Sequence, residues 1–148
     1  MKYALSLVIA AFVATAAIAQ DADEKPPENI VVSADSVALD DFKWIKRPLV
    51  VFADTPNDPR FIEQMEYIEG RLSALEARDV IVITDTDPAA LTEIRRKLRP
   101  RGFNLVGIAK DGSIFLRKPA PWAVREITRS IDKLPTRQQE LRERGNGS

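Results

Sequence analysis

The chain has 148 residues, which favours a single domain, and it contains neither cysteine nor histidine. Disulfide and thiol redox chemistry are therefore excluded, and the commonest zinc and catalytic-triad ligands are missing. The zero net charge hides an asymmetry, because residues 20–93 include 7 basic and 17 acidic side chains whereas residues 94–148 include 14 basic and 5 acidic ones. Either the two halves attract each other once folded, or a basic face meets an acidic partner or anionic lipid.

The first segment, residues 1–19, has the pattern of a secretory signal peptide. Lys2 precedes an almost wholly apolar stretch, and Ala17-Ile18-Ala19 supplies small residues at the positions that a signal peptidase requires. The apolar stretch is shorter than the ~20 residues of a membrane span. We therefore expect a periplasmic or secreted protein that begins at Gln20 and has no stable membrane insertion after cleavage. An uncleaved anchor helix is the alternative.

Residues 20–37 are predicted to form a lead-in to the domain. Residues 20–28 are acidic, contain proline and carry few apolar side chains, which is typical of disorder. Residues 30–39 alternate weakly and could add an edge strand to a sheet. Two aromatic residues, Phe42 and Trp44, follow at the start of the domain, and we expect both to pack against it.

Two short apolar runs, residues 49–52 and residues 79–84, predict strands that are covered on both faces. A single helix is predicted between them. Asp58 is its expected N-cap, with Pro59 at the first helical position. Its apolar stripe is formed by Phe61, Met65, Ile68, Leu72 and Leu75. Two strands joined by such a helix predict a right-handed βαβ unit.

A second Asp-Pro pair, Asp87-Pro88, predicts another helix, with three inward side chains: Leu91, Ile94 and Leu98. Lys110-Asp111-Gly112 then indicates a β-hairpin, because Asp-Gly suits turns that need positive φ. Residues 122–134 and 136–144 predict two final helices. The order β-α-β-α-β-β-α predicts a thioredoxin-like α/β fold: a central mixed sheet, helices on both faces, and a C-terminal hairpin plus helix. A generic α/β sandwich is the alternative.

Four stretches of the chain resemble a known family: RPLVVFADTPNDPRF, LEARDVIVIT, FNLVGIAKDGSIFLR and IDKLPTRQQELRER. Over residues 38–144 the chain resembles the bacterial family called domain of unknown function 4174. Related domains in secreted animal matrix proteins are described as peroxiredoxin-like. The resemblance implies a thioredoxin-like fold and an exported protein, and it implies no established reaction.

Alignment with the general thioredoxin pattern implies a position for a binding groove. Residues 55–59 take the place of the redox cysteine pair, and Asn104 takes the place of the cis-proline. Since neither hallmark is present, the resemblance implies a groove without redox function. We expect it to bind a peptide, a protein or a small ligand, without a cofactor, through Thr55, Asn57, Asp58, Arg60 and Asn104. A helix N-terminus also attracts anions, although these side chains could merely satisfy the turn.

Four carboxylates define a rival hypothesis. Asp54 and Asp58 follow the first core strand, and Asp85 and Asp87 follow the second one. Because the carboxyl ends of parallel strands line a natural crevice, these acids could hold a hard cation in a cysteine-independent enzyme. Asp58 and Asp87 are also expected helix N-caps, and the sequence has no Asp-x-Asp-x-Asp-Gly loop typical of calcium sites. We therefore predict no metal site as the first choice.

The chain also carries a dense basic set: Arg95, Arg96, Lys97, Arg99 and Arg101. Nucleic-acid binding would favour aromatic residues interleaved with these charges, and none is present. We predict a solvated helix face and no nucleic-acid partner. Arg47, which precedes the first core strand, is expected either to face the groove or to pair with Asp40 or Asp41.

Overall fold

The computed structural model describes residues 29–147, so the predicted signal peptide and residues 20–28 lie outside the described residues. Within residues 29–147, five strands form one sheet: β1 Val31–Ser33, β2 Arg47–Phe52, β3 Val80–Asp85, β4 Asn104–Ile108 and β5 Ile114–Lys118. Their order across the sheet is β1-β3-β2-β4-β5. Strands β1, β3 and β2 run parallel to one another. Strand β4 pairs antiparallel with β2, and β5 pairs antiparallel with β4.

The central strand β2 is buried along its whole length. Successive side chains of a strand point to opposite faces, so Leu49 and Val51 enter one apolar layer while Val50 and Phe52 enter another. The first layer includes α1 (Pro59–Glu69), α2 (Leu72–Glu76) and α4 (Val124–Asp132), and the second includes α3 (Glu93–Leu98). Helices therefore cover both faces, and the predicted thioredoxin-like α/β fold is confirmed.

The prediction of one helix between the first two core strands is wrong at its C-terminal end. The α1 helix ends at Glu69, and Arg71 leaves the helical region with φ −144° and ψ 38° before α2 begins. Gly70 marks the break, since glycine is the poorest helix former after proline. The predicted apolar stripe still faces the core on both sides of the break, because Ile68 and Leu75 are both fully buried.

The second predicted helix begins later than its Asp-Pro signal indicates. Asp87 does accept a hydrogen bond from the Ala89 N–H at 3.1 Å, but it caps only a 3₁₀ turn, Pro88–Ala90. Thr92 is the N-cap of α3, where its Oγ1 accepts from the Arg95 N–H at 3.1 Å. Leu91 lies between the 3₁₀ turn and Thr92 and has a φ of 44°. Its side chain is exposed, so its predicted inward position is wrong. Ile94 and Leu98 are buried as predicted.

The C-terminal hairpin is confirmed. Gly112 has φ 89°, and the Ala109 N–H donates to the Ser113 carbonyl at 2.8 Å across the turn. The chain then continues through α4 into the final helix α5 (Pro135–Asn146). Trp44 contradicts its predicted packing role, since 64% of it is exposed. Among residues 29–147, no helix combines the length and the apolar character needed to cross a bilayer.

Candidate functional site

The turn after β2 leads directly into α1. Asp58 caps this helix, as predicted, because its Oδ1 accepts a hydrogen bond from the Arg60 backbone N–H at 2.9 Å. The Thr55 hydroxyl accepts from the Asn57 N–H at 3.3 Å, and the Thr55 carbonyl accepts from the Asp58 N–H at 3.2 Å. Two backbone N–H groups of the turn therefore find hydrogen-bond acceptors within the turn itself. Residues 54–57 are exposed at the edge of the sheet.

Arg60 is the second residue of α1 and lies next to this turn. Its Nε and Nη2 donate to Asp58 Oδ1 and Oδ2 at 3.2 and 3.1 Å, and its guanidinium lies 5.8 Å from the centre of the Phe103 ring. The hydrogen bonds from Arg60 lower the pKa of Asp58, and the bond to Asp58 raises the pKa of Arg60. Both groups are therefore charged at neutral pH. The pair suits binding rather than proton transfer, which needs a pKa near the working pH.

Asn104 lies at the same edge of the sheet as the turn. It is the first residue of β4 and stands opposite Phe52, the last residue of β2. The preceding residue, Phe103, lies beneath the Arg60 guanidinium, so the turn and β4 meet. Within residues 29–147, Asn104 Oδ1 is buried without a hydrogen-bond partner. The same residues contain no cis peptide bond, so the cis conformation typical of the thioredoxin proline is not present at Asn104. The structure thus brings the backbone of residues 55–60 and of Asn104 to one corner of the sheet. The Asn104 side chain lies on the face of Phe52, because Phe103 and Leu105 enter the layer that includes α1.

The four carboxylates of the rival hypothesis are not assembled into a metal centre. Asp85 is buried, where its Oδ2 accepts from the Thr92 hydroxyl at 2.6 Å and its Oδ1 accepts from Arg95 Nη2 at 2.9 Å. Asp58 and Asp87 are committed to caps, and Asp54 is exposed. The part of the chain that the structure describes contains no group of three or more acidic side chains that could hold a metal ion.

Arg95 contradicts the prediction of a solvated helix face. It is buried rather than solvated, and its Nη2 also donates to the carbonyls of Ala53 and Asp85 at 3.0 and 3.1 Å. Its guanidinium lies 5.3 Å from the centre of the Phe52 ring. The sequence did indicate that Arg95 could be buried, because position 95 lies next to Ile94 and three residues before Leu98, on the flank of the apolar stripe. Arg95 thus fixes α3 to the ends of β2 and β3.

Arg47 lies at the other end of β2, away from this corner. Only 1% of its side chain is exposed, and its Nη2 donates to Glu140 Oε1 of α5 at 2.9 Å. Both expectations for Arg47, a place in the groove or a pair with Asp40 or Asp41, are therefore wrong. Its true partner is 93 residues away in sequence, so no local pattern could reveal it.

The fold and the cysteine-free corner define a thioredoxin-like domain without thiol chemistry. The chain belongs to the family described as "Domain of unknown function (DUF4174)", whose sequence model matches residues 38–140, and the resemblance found in the sequence is confirmed. No curated protein matches the chain.

The solved structures that are similar to the chain include two from Plasmodium species. The reduced 2-Cys peroxiredoxin of Plasmodium vivax aligns with a TM-score of 0.55 and 16% identity, over 70% of this chain and 85% of that chain. The Plasmodium yoelii thioredoxin peroxidase I aligns with a TM-score of 0.52 and 17% identity, over 70% of this chain and 80% of that chain. At these identities the likeness shows the fold alone.

Proposed function

We propose that the protein is an exported, non-redox interaction module that binds an extended peptide or a small ligand at the corner formed by residues 55–60 and Asn104. The observation that carries the proposal is that two groups able to contact a ligand lie at this edge of the sheet, one on each face. Arg60 is 51% exposed on the α1 face, whereas Asn104 Oδ1 on the Phe52 face is buried without a partner among residues 29–147. A buried acceptor that stays unpaired costs about 1–3 kcal/mol, which a bound donor would recover.

The chemistry of the corner favours a peptide-like ligand over a simple anion. Asp58 already neutralises Arg60, and Asp54 is close enough to add to its pKa shift. A phosphate would therefore meet two carboxylates beside one guanidinium. An extended peptide offers alternating N–H donors and carbonyl acceptors, so a peptide that crosses the end of β4 would present a donor to the Asn104 oxygen as well as an acceptor to Arg60. The Thr55 hydroxyl and the Asn57 side chain are exposed alongside.

Paired substitutions test the binding corner. A random heptapeptide phage library selects a binding sequence, and calorimetry measures that peptide against the protein and its variants. The double variant Thr55→Ala/Arg60→Ala should weaken binding about tenfold, as expected for one or two lost hydrogen bonds. Its thermal stability should change little, because the Arg60 N–H that bonds the cap survives the substitution.

The matched control is Arg96→Ala/Arg99→Ala, which removes two exposed cations of the basic segment. It should alter affinity less than about twofold at physiological salt, where charges farther than ~8 Å from the ligand are screened. If this control abolishes binding while the first double variant keeps full affinity, the corner is not the site, and the charge asymmetry is the functional feature.

Export is tested separately on material recovered from the periplasm or the medium. We expect an intact mass that corresponds to a chain beginning at Gln20, because the signal peptidase pattern ends at Ala19. A recovered mass that still includes residues 1–19 would contradict export by a cleaved signal peptide and would leave the binding proposal untouched.

A further inference from the structure

A second concave feature lies at the opposite end of β2 from the candidate site. It is a cleft of about 340 Å³ between the 3₁₀ turn Leu39–Phe42, the last turn of α3 and the β4–β5 hairpin, and we call it the hairpin cleft. Its floor is apolar, since Pro48, Leu98 and Ile108 are buried there. The volume falls at the lower end of the range of about 300–1,000 Å³ for small-molecule sites.

The wall of the hairpin cleft leaves apolar surface open to solvent. Ile114, the first residue of β5, is 48% exposed, and Leu39 and Phe42 are only partly buried. All three line the cleft. A ligand with an apolar body would cover this surface and gain roughly 25 cal/mol for each Å² removed from water.

The rim of the cleft carries three lysines and two aspartates: Lys43, Lys46, Lys97, Asp40 and Asp111. Both acids are already engaged. Asp40 pairs with Lys97 Nζ at 3.6 Å, and Asp111 Oδ1 accepts from the Ser113 N–H and hydroxyl at 2.9 and 2.6 Å. Lys97 and Asp40 therefore offset each other, and the Asp111 carboxylate already accepts two hydrogen bonds.

Lys43 is placed to contact a ligand in the cleft. Its side chain passes over the hairpin turn, where a Cβ added to Gly112 would lie 3.8 Å from Lys43 Cε. Lys43 acts on the Asp111 carboxylate electrostatically, but no hydrogen bond or ion pair fixes its ammonium among residues 29–147. A lysine ammonium has three donors on a flexible stem. It can therefore turn toward an anionic group at the mouth of the cleft.

We propose that the hairpin cleft binds an amphipathic anion, a small molecule with an apolar body and one carboxylate at its end. The apolar floor offers no partners for a polar body, and burying unpaired polar groups is costly. The Lys43 ammonium would repel a cationic head group and would form a weaker hydrogen bond with a neutral head group than with a carboxylate. This inference does not depend on the peptide-binding corner, because the two sites share no residue.

Titration of isotope-labelled protein with sodium octanoate tests the proposal by NMR, with octylamine and sodium acetate as comparison probes at equal ionic strength. Octanoate should shift the amide signals of Ile108, Gly112 and Ile114. Octylamine should bind more weakly because of its charge, and acetate should cause no shifts at these amides because it lacks the tail. Unperturbed cleft amides, or equal binding of octylamine, would overturn the proposal.

Matched variants test the charge contact and the apolar contact separately. Lys43→Gln should weaken octanoate binding about two- to fivefold, as expected for one partly solvated charge contact, and Ile114→Ser should weaken it by removing apolar wall. The controls are Lys133→Gln and Ile62→Ser, which change an exposed lysine and an isoleucine of 46% exposure outside the cleft. Equal losses in the controls would show non-specific binding and contradict the site.

Discussion

Three arginines are buried among the described residues, and each one is held by a carboxylate. Arg47 and Arg137 bind Glu140, and Arg95 binds Asp85. Removing one partner of such a pair leaves an uncompensated buried charge, which is strongly destabilising. These arginines therefore maintain the fold, and the cations left for recognition are exposed ones such as Arg60.

Trp44 has an unusual backbone for a bulky side chain. Its φ is 65°, in the left-handed region, and its N–H donates to the Lys110 carbonyl at 2.7 Å. That hydrogen bond ties the segment before β2 to the hairpin. Because the left-handed conformation costs an L-residue roughly 1–2 kcal/mol, position 44 carries strain that the surrounding contacts offset.

A comparison of glycine and alanine at position 44 isolates this strain. Trp44→Gly and Trp44→Ala lose the same ring, but only glycine adopts positive φ freely. We expect the glycine variant to have the higher free energy of unfolding, by about 1 kcal/mol, in urea titrations followed by circular dichroism.

Ile45 supplies the control, because it is similarly exposed at 61% and has no positive φ. There the order should reverse, with Ile45→Ala more stable than Ile45→Gly, since glycine loses more backbone entropy on folding. The same order at both positions would show that Trp44 is not strained.

At the scale of elements, local signals predicted the fold wherever one signal acted alone. The apolar run of β2 and the Asp-Gly hairpin were both predicted, because each reflects a short-range requirement. The start of α3 was not, because Asp87 and Thr92 both favour capping and only packing chooses between them. Thr92 prevails because its helix buries Ile94 and Leu98.

Contacts distant in sequence explain most of what could not be predicted. Gln64 is fully buried on α1, where its amide donates to the Trp122 carbonyl at 3.0 Å and accepts from the Trp122 N–H at 2.8 Å. A polar residue on an apolar face gives no sign of a partner 58 residues away. The candidate site follows the same rule. Hairpin alignment predicted the place of Asn104, whereas its unpaired oxygen and the burial of Arg95 depend on tertiary packing.

For the whole molecule, ion pairs between the two halves account for part of the charge asymmetry. Acidic side chains before residue 94 pair with basic side chains after it: Asp40 with Lys97, Asp79 with Lys110, and Asp85 with Arg95. Two pairs of the opposite sense, Arg47 with Glu140 and Arg78 with Asp132, join the same halves. These contacts support attraction between the halves as one role of the asymmetry.

Glu140 is the centre of a network of three cations that also joins the two halves. Its carboxylate accepts from Lys110 Nζ at 2.7 Å, from Arg47 Nη2 at 2.9 Å and from Arg137 Nη1 at 3.2 Å. The network joins α5 to the start of β2 and to the hairpin. Burial raises the pKa of Glu140, but the hydrogen bonds from Lys110 and Arg47 outweigh this effect. The pKa of Glu140 therefore falls from 4.5 to about 2.

This pKa predicts how stability depends on pH. A carboxyl whose folded pKa is lowered stabilises the folded state above its unfolded pKa, and this contribution is lost as the pH falls from about 4.5 to about 2. Each pKa unit corresponds to about 1.4 kcal/mol, so Glu140 contributes about 3 kcal/mol at neutral pH. Glu140→Gln should lower the free energy of unfolding by about that amount at neutral pH, as measured by urea titration.

The pH profile distinguishes loss of the charge from damage to packing. The difference between the original protein and Glu140→Gln should shrink as the pH falls and nearly vanish near pH 2, where the carboxyl is increasingly protonated in both the folded and unfolded states. Glu143→Gln is the control, because Glu143 is exposed on the same helix and, among the described residues, accepts only from Gln139 Nε2 at 2.9 Å. It should change stability by less than about 0.5 kcal/mol. A pH-independent deficit in Glu140→Gln would show that the substitution acts through packing, and that the Glu140 charge does not hold α5 to the sheet.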